Sequence, residues 1–351
     1  MDSLVTHTAE TLNSKVGSRR KLEPTHHREM PKLNSQIRPI RLGLVGMVTE
    51  NDHPFSWSAI FNSYSPPHMA KYADPIISAY LQKEPEESFG IPGVRVTHVW
   101  TDCPSDAVKL ARASRIPNIV KHAEDVIGAV DAVLIPTDRG HEHVARCRPF
   151  VKAGLPIFVD KPMVDNEKDL KIFTQWVKDG ARILSCSFMR YCKEFLPYRA
   201  STHELGKIRF LSITTPKSWE RYGIHALEGI YPILGPGFES VQNVGNWEQN
   251  VVHLRHRSKA DIVVVAAADL YGSSGVLQLC GTAGHAEVAM RDRFFAFKNQ
   301  LGDFIQYLRT GIRPFPFDET RELMKLVIAG IKSREEGGRR VMLAEIGRKQ
   351  E

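Results

Sequence analysis

The chain has 351 residues, 42% apolar and 25% charged, with a net charge of +7. These values lie near the globular average and exclude a disordered, collagen-like or disulfide-stapled chain. No run approaches the roughly 18 consecutive apolar residues of a membrane span, and the length suits about two domains.

Residues 1–38 hold seven Lys and Arg against four acids, so they carry +3 of the +7. They include few branched residues and no aromatic one, which predicts a disordered basic tail. Nucleic-acid binding calls for a basic stripe with interleaved aromatics and is not expected. The five cysteines (Cys103, Cys147, Cys186, Cys192, Cys280) are scattered, with no Cys-x-x-Cys pair. Scattered thiols without an apolar leader predict a reducing compartment, the cytoplasm.

Structure is expected from residue 40. Residues 40–45 have a strand's aliphatic content and end on Gly46. A helix is expected over 56–64, then a looser proline-rich insertion with one helix near 76–81. Strand 94–100, helix 105–114 and a short extended piece at 116–120 follow. Residues 131–136 and 155–159 are nearly continuous apolar runs, as strands buried on both faces are, and helix 143–153 lies between them. Strands alternating with helices predict a doubly wound parallel sheet, an α/β architecture. The pattern changes near residue 205. Strands at 208–215, 251–257, 262–270, 275–280 and 286–290 predict a second, mostly antiparallel sheet, closed by helices 294–309 and 317–335. The expected division is a nucleotide-type domain at 39–162 and a second α/β domain at 163–345.

Three positions carry candidate chemistry. The first strand-to-helix turn is where a dinucleotide pyrophosphate sits when glycines open it. Here it reads Gly46-Met47-Val48-Thr49-Glu50-Asn51, with Val48 and Asn51 in the slots of the second and third glycines. It is either a plain turn or a nucleotide turn. Asn51 or Asp52 suits a helix cap, His53 suits an anion or cofactor held in another pose, and loss of the phosphate site is the third reading. Asp102, after strand 94–100, suits a ribose hydroxyl or a helix cap. Val159-Asp160-Lys161-Pro162 leaves a buried strand at its carboxyl end, so Lys161 points into the crevice. Pro162 stiffens the exit, and Asp160 is placed to orient the ammonium.

The Asp160-Lys161-Pro162 step resembles the Glu-Lys-Pro signature of the Gfo/Idh/MocA oxidoreductases, the family of glucose–fructose oxidoreductase and inositol dehydrogenase. Other motifs agree in order. Thr137 opens a turn leading to His143, which lies 17 residues before Asp160. Phe188-Met189-Arg190-Tyr191, Leu205-Gly206-Lys207-Ile208 and Gly223-Ile224-His225-Ala226-Leu227-Glu228 are similar to family segments, and the likeness spans residues 40–345.

The resemblance implies an N-terminal Rossmann domain and a C-terminal α/β domain with an open, mostly antiparallel sheet. It implies a nicotinamide cofactor, NAD with NADP as the alternative, and a sugar, cyclitol or similar polyol whose secondary alcohol is oxidised or whose ketone is reduced. Lys161, His225 and Glu228 become the catalytic candidates. Gly46, Val48, Asn51, Asp102, Thr137, His143, Asp160 and Lys161 become cofactor contacts. Arg190, Tyr191 and His225 become substrate contacts. A homodimer or homotetramer is implied, with no membrane. Many family members carry an aspartate four residues before the motif histidine, where this chain has Arg221. With the altered glycine turn, that leaves a redox-neutral lyase or hydrolase, or a regulatory ligand-binding protein, as alternatives. The pairs His141/His143 and His253/His256 have no acid or cysteine at ligand spacing, so no metal is expected.

Overall fold

The computed structural model describes residues 39–347; the basic segment 1–38 lies outside them. The first part of the chain runs β1 (Ile40–Val45), α1 (His53–Asn62), α2 (Pro66–Tyr72), α3 (Pro75–Leu81), β2 (Val94–Trp100), α4 (Pro104–Ala113) and β3 (Asn118–Ile119). It continues through β4 (Ala132–Ile135), α5 (His143–Lys152), β5 (Ile157–Val159), α6 (Glu167–Lys178) and β6 (Ile183–Leu184). The six strands are parallel, in the order β3-β2-β1-β4-β5-β6. The order reverses between β1 and β4, and in open α/β sheets ligands bind in the crevice beyond that switch point. Every residue of β4 and β5 is buried, as the apolar runs require.

Helix α1 starts at His53, three residues before the expected 56. Pro54 falls in its first turn, where the missing N–H is unpaired in any helix. Residues 53–61 are all buried, so α1 needs cover on both sides. Trp57 packs on Phe158 of the sheet. The other cover is the insertion, which forms two helices rather than one; Tyr80 of α3 hydrogen-bonds Ser56 of α1. Helix α2 was hidden in the sequence by Pro66 and Pro67, which again sit in a first turn.

After α7 (Leu196–Ala200) come β7 (Ile208–Pro216), α8 (Ile224–Leu234), β8 (Phe238–Asn243), β9 (Gln249–His256), β10 (Asp261–Ala267), β11 (Val276–Gly281) and β12 (His285–Ala289). Then follow α9 (Arg293–Thr310), α10 (Phe317–Glu335) and β13 (Val341–Met342). The seven strands are ordered β12-β11-β7-β10-β9-β8-β13, antiparallel except for β7 beside β10. In β9 the buried positions alternate (Asn250, Val252, Leu254, His256), so one face packs inward, with α10 against β8. Strands β8 and β13 were not expected: one alternates weakly and the other has two residues. No helix among the described residues is long and apolar enough to cross a membrane.

Candidate active site

The carboxyl ends of β1, β2, β4 and β5 bring Gly46, Asp102, Thr137, Asp138, Asp160 and Lys161 to one edge of the parallel sheet. Gly46 has φ +105°, and a Cβ there would lie 2.9 Å from Thr137 Cγ2 and 3.1 Å from Arg146 Nη1. Only glycine fits that turn. The Asp102 carboxylate accepts the Met47 N–H at 3.0 Å and two bonds from Arg146 at 2.9 and 3.2 Å. It therefore ties β2, the first turn and α5 together. Val48 is buried.

Asp160 is fully buried and saturated. His53 Nδ1 donates to it at 2.6 Å, Asn51 Nδ2 at 3.1 Å and the Lys161 N–H at 2.7 Å. Burial alone would raise its pKa; the charges of His53 and Lys161 and these bonds outweigh burial and lower it. Asn51 thus fastens α1 to the sheet, also donating to Pro136 O at 3.0 Å. The buried His143 links the two turns, its ring nitrogens lying 2.7 Å from Thr137 O and 2.9 Å from Met163 O.

Lys161 is 1% exposed, and its ammonium has no hydrogen-bond partner among the described residues. The nearest carboxylate oxygen, Asp138 Oδ2, is 3.8 Å away, and the Tyr222 ring centre 4.6 Å. A buried ammonium without an acceptor is costly, and the Asp138 charge and the Tyr222 ring are its compensation here.

Asp138 answers the departure seen at Arg221. Arg221 donates to both Asp138 oxygens at 3.0 Å and to Glu50 Oε2 at 3.1 Å. The carboxylate beside the lysine comes from the turn after β4, and the residue before Tyr222 is its cation. Arg221 is carried on a single π-helical turn, Trp219–Gly223. Trp219 lies against Gly223 and Gly330, which leave no room for a Cβ, and its Nε1 donates to Val327 O at 2.9 Å.

His225, at the start of α8, packs on Tyr222 at 4.8 Å between ring centres. Its Nδ1 lies 2.6 Å from Ser187 Oγ. Burial, then the charges of Lys161, His53 and Lys217, hold its pKa well below the usual histidine range. Glu228 shares this neighbourhood but is not bonded to the imidazole. It pairs with Arg190 and accepts the Ser187 N–H at 3.3 Å, so Ser187 is the link between the two. Burial raises the Glu228 carboxyl, and Arg190 opposes that rise.

Arg190 also binds Glu319 at 2.8 Å and borders a separate cavity of about 230 Å³. The Tyr191 hydroxyl donates to Asp303 at 2.8 Å. The main cavity, about 300 Å³, is lined instead by Phe188, Phe297, Tyr80, His53, His225 and Lys217. That is the lower end of the usual range for ligand pockets. Ser187, Asp138, Lys217 and Tyr222 were missed in the sequence. The one signal was Arg221 standing where the family has an acid.

No protein-family model matches the chain, and no curated protein matches it by sequence. Solved structures do. The scyllo-inositol dehydrogenase of Lactobacillus casei, solved with NAD(H) and scyllo-inositol, superposes with a TM-score of 0.68 at 14% identity, over 88% of this chain and 100% of that one. The myo-inositol dehydrogenase of Corynebacterium glutamicum gives 0.66 at 18% identity, over 87% and 99%. The myo-inositol 2-dehydrogenase of Lactobacillus plantarum gives 0.67 at 14%, over 87% and 99%. The chain therefore has the two-sheet fold of the inositol dehydrogenases, the fold that its resemblance to the Gfo/Idh/MocA oxidoreductases implies.

Proposed function

We propose that this chain is a nicotinamide-dependent oxidoreductase of the Gfo/Idh/MocA family acting on a secondary alcohol, or the matching ketone, of a small polyhydroxylated molecule. The observation that carries the reading is the buried Lys161 ammonium without an acceptor, beside Tyr222 and a neutral His225. The parallel sheet would hold the dinucleotide, and the half built on the antiparallel sheet would supply His225, with the cavity lined from both halves.

The residues fit such a cofactor at its reactive end. The acceptor that Lys161 lacks would be an oxygen of the bound molecule, with Tyr222 standing between the ammonium and the cavity it lines. A nicotinamide, when bound, takes up or gives the hydride. In the tautomer with the proton on Nδ1, Ser187 Oγ accepts from His225. Nε2 then keeps its lone pair, free to take the proton of a substrate hydroxyl. Lys161 donates to the same oxygen and stabilises the negative charge that develops on it. Phe188 and Phe297 keep water from that face of the cavity.

A second reading, a redox-neutral or ligand-binding protein on this fold, is favoured by one observation. Several backbone donors at the first turn are taken: the Met47 N–H by Asp102, the His53 N–H by Asn51 at 3.0 Å, and Pro54 has none. Calorimetric titration with NAD(H) and NADP(H), followed by a polyol panel, separates the two. Binding with hydride transfer supports the first reading; binding without turnover, or no binding, supports the second.

A further inference from the structure

We infer that the phosphate-binding groups of this chain are Arg221 and Lys217, which reach across from the antiparallel sheet, and that Glu50 holds their place until a dinucleotide pyrophosphate replaces it. The inference rests on the oxidoreductase reading and deepens it.

The first βα turn is where the fold receives a pyrophosphate, and several of the amides there are already bonded, that of Met47 to Asp102 and that of His53 to Asn51. Two cations face that turn instead. Lys217 Nζ donates to Glu50 O at 2.9 Å, and Arg221 Nη1 donates to Glu50 Oε2 at 3.1 Å. Both lie within hydrogen-bond reach of the loop a phosphate would touch. Among the described residues Lys217 has no carboxylate within salt-bridge distance; burial first, then the charge of Arg221, lowers its pKa. An anion at that point would relieve both effects.

The backbone supports the same assignment. Glu50 and Lys217 are non-glycine residues at φ +66° and +60°, in the left-handed region. Each such residue costs free energy that its surroundings must hold in place. Here the two strained residues hold each other across the crevice. The Glu50 side chain is 66% exposed, so its carboxylate can swing out to water. The Arg221 fork keeps Asp138 as its partner and presents Nη1 to whatever replaces Glu50. A guanidinium and an ammonium together suit a doubly charged diphosphate.

The test titrates wild type, Arg221→Gln, Lys217→Gln and Glu50→Gln with NAD(H), NADP(H) and ADP-ribose. Loss of one charge-assisted contact should weaken binding about tenfold or more in Arg221→Gln and in Lys217→Gln. Glu50→Gln removes the competing carboxylate and should tighten binding several-fold. A merely structural role would make all three variants weaker, so the opposite signs are decisive. Folding of each variant is checked by its melting transition; should Arg221→Gln fail to fold, Lys217→Gln and Glu50→Gln still carry the comparison. Equal affinity in all four proteins overturns this inference and leaves the oxidoreductase reading standing. Absence of binding even in Glu50→Gln overturns both.

Discussion

Lys161 and His225 meet through one ring: the Lys161 ammonium lies 4.6 Å from the centre of Tyr222, and His225 packs edge to face on the same ring at 4.8 Å. The residues come from the two different sheets' halves of the molecule. The lysine's charge contributes to keeping the imidazole neutral.

Replacing Lys161 separates function from stability. The ammonium is buried and unbonded, so Lys161→Met removes a desolvated charge and keeps the apolar stem. Turnover should vanish while the melting temperature holds or rises. Undiminished turnover would remove Lys161 from the chemistry.

The pH dependence follows from His225. Its folded pKa lies well below its unfolded value of about 6.5. The unfolded chain therefore binds more protons below that pH, and stability falls as pH drops from about 6.5 toward the folded pKa. His225→Asn should lose part of that slope in denaturant titrations. The imidazole is already a free base at pH 6.5, so the acid limb of kcat should lie below it. A limb above about pH 6.5 contradicts the assignment.

Asp138 is the shared counter-charge of Arg221 and Lys161. Asp138→Asn leaves two cations facing each other and should cost about 3 kcal/mol, a value typical of a broken buried pair. Adding Arg221→Gln should return part of it. Strict additivity in the double-mutant cycle would mean that the two side chains are not coupled.

Ser187 holds the ring of His225 from the side away from the proposed substrate. Ser187→Ala should cost about 1 kcal/mol in stability. Turnover should fall roughly tenfold with little change in KM, since only the orientation of the base is lost. A rise in KM alone would place Ser187 in substrate binding instead.

The parallel sheet was readable because its central strands are unbroken apolar runs, and Lys161 because it leaves one of those runs at the end the fold turns toward a ligand. Helix α10 was readable end to end at 317–335. The charge swap was not readable. Arg221 stood out as a departure, but its partner Asp138 lies 83 positions away, and local pattern carries no record of such a pairing. Glu228 shows the limit of spacing arguments. Three residues from His225, it was a catalytic candidate, placed either to orient the imidazole or to bind a substrate hydroxyl, yet the Arg190 guanidinium holds its carboxylate. Ser187, just ahead of the 188–191 motif, gave no signal of its own.

The most direct measurement follows reduced nicotinamide while wild type and Lys161→Met are each given NAD or NADP with a panel of cyclitols, sugars and their ketones. The account predicts hydride transfer with at least one of them in wild type and none in the variant. A wild type that binds no dinucleotide and reduces none, with its fold intact, would contradict it.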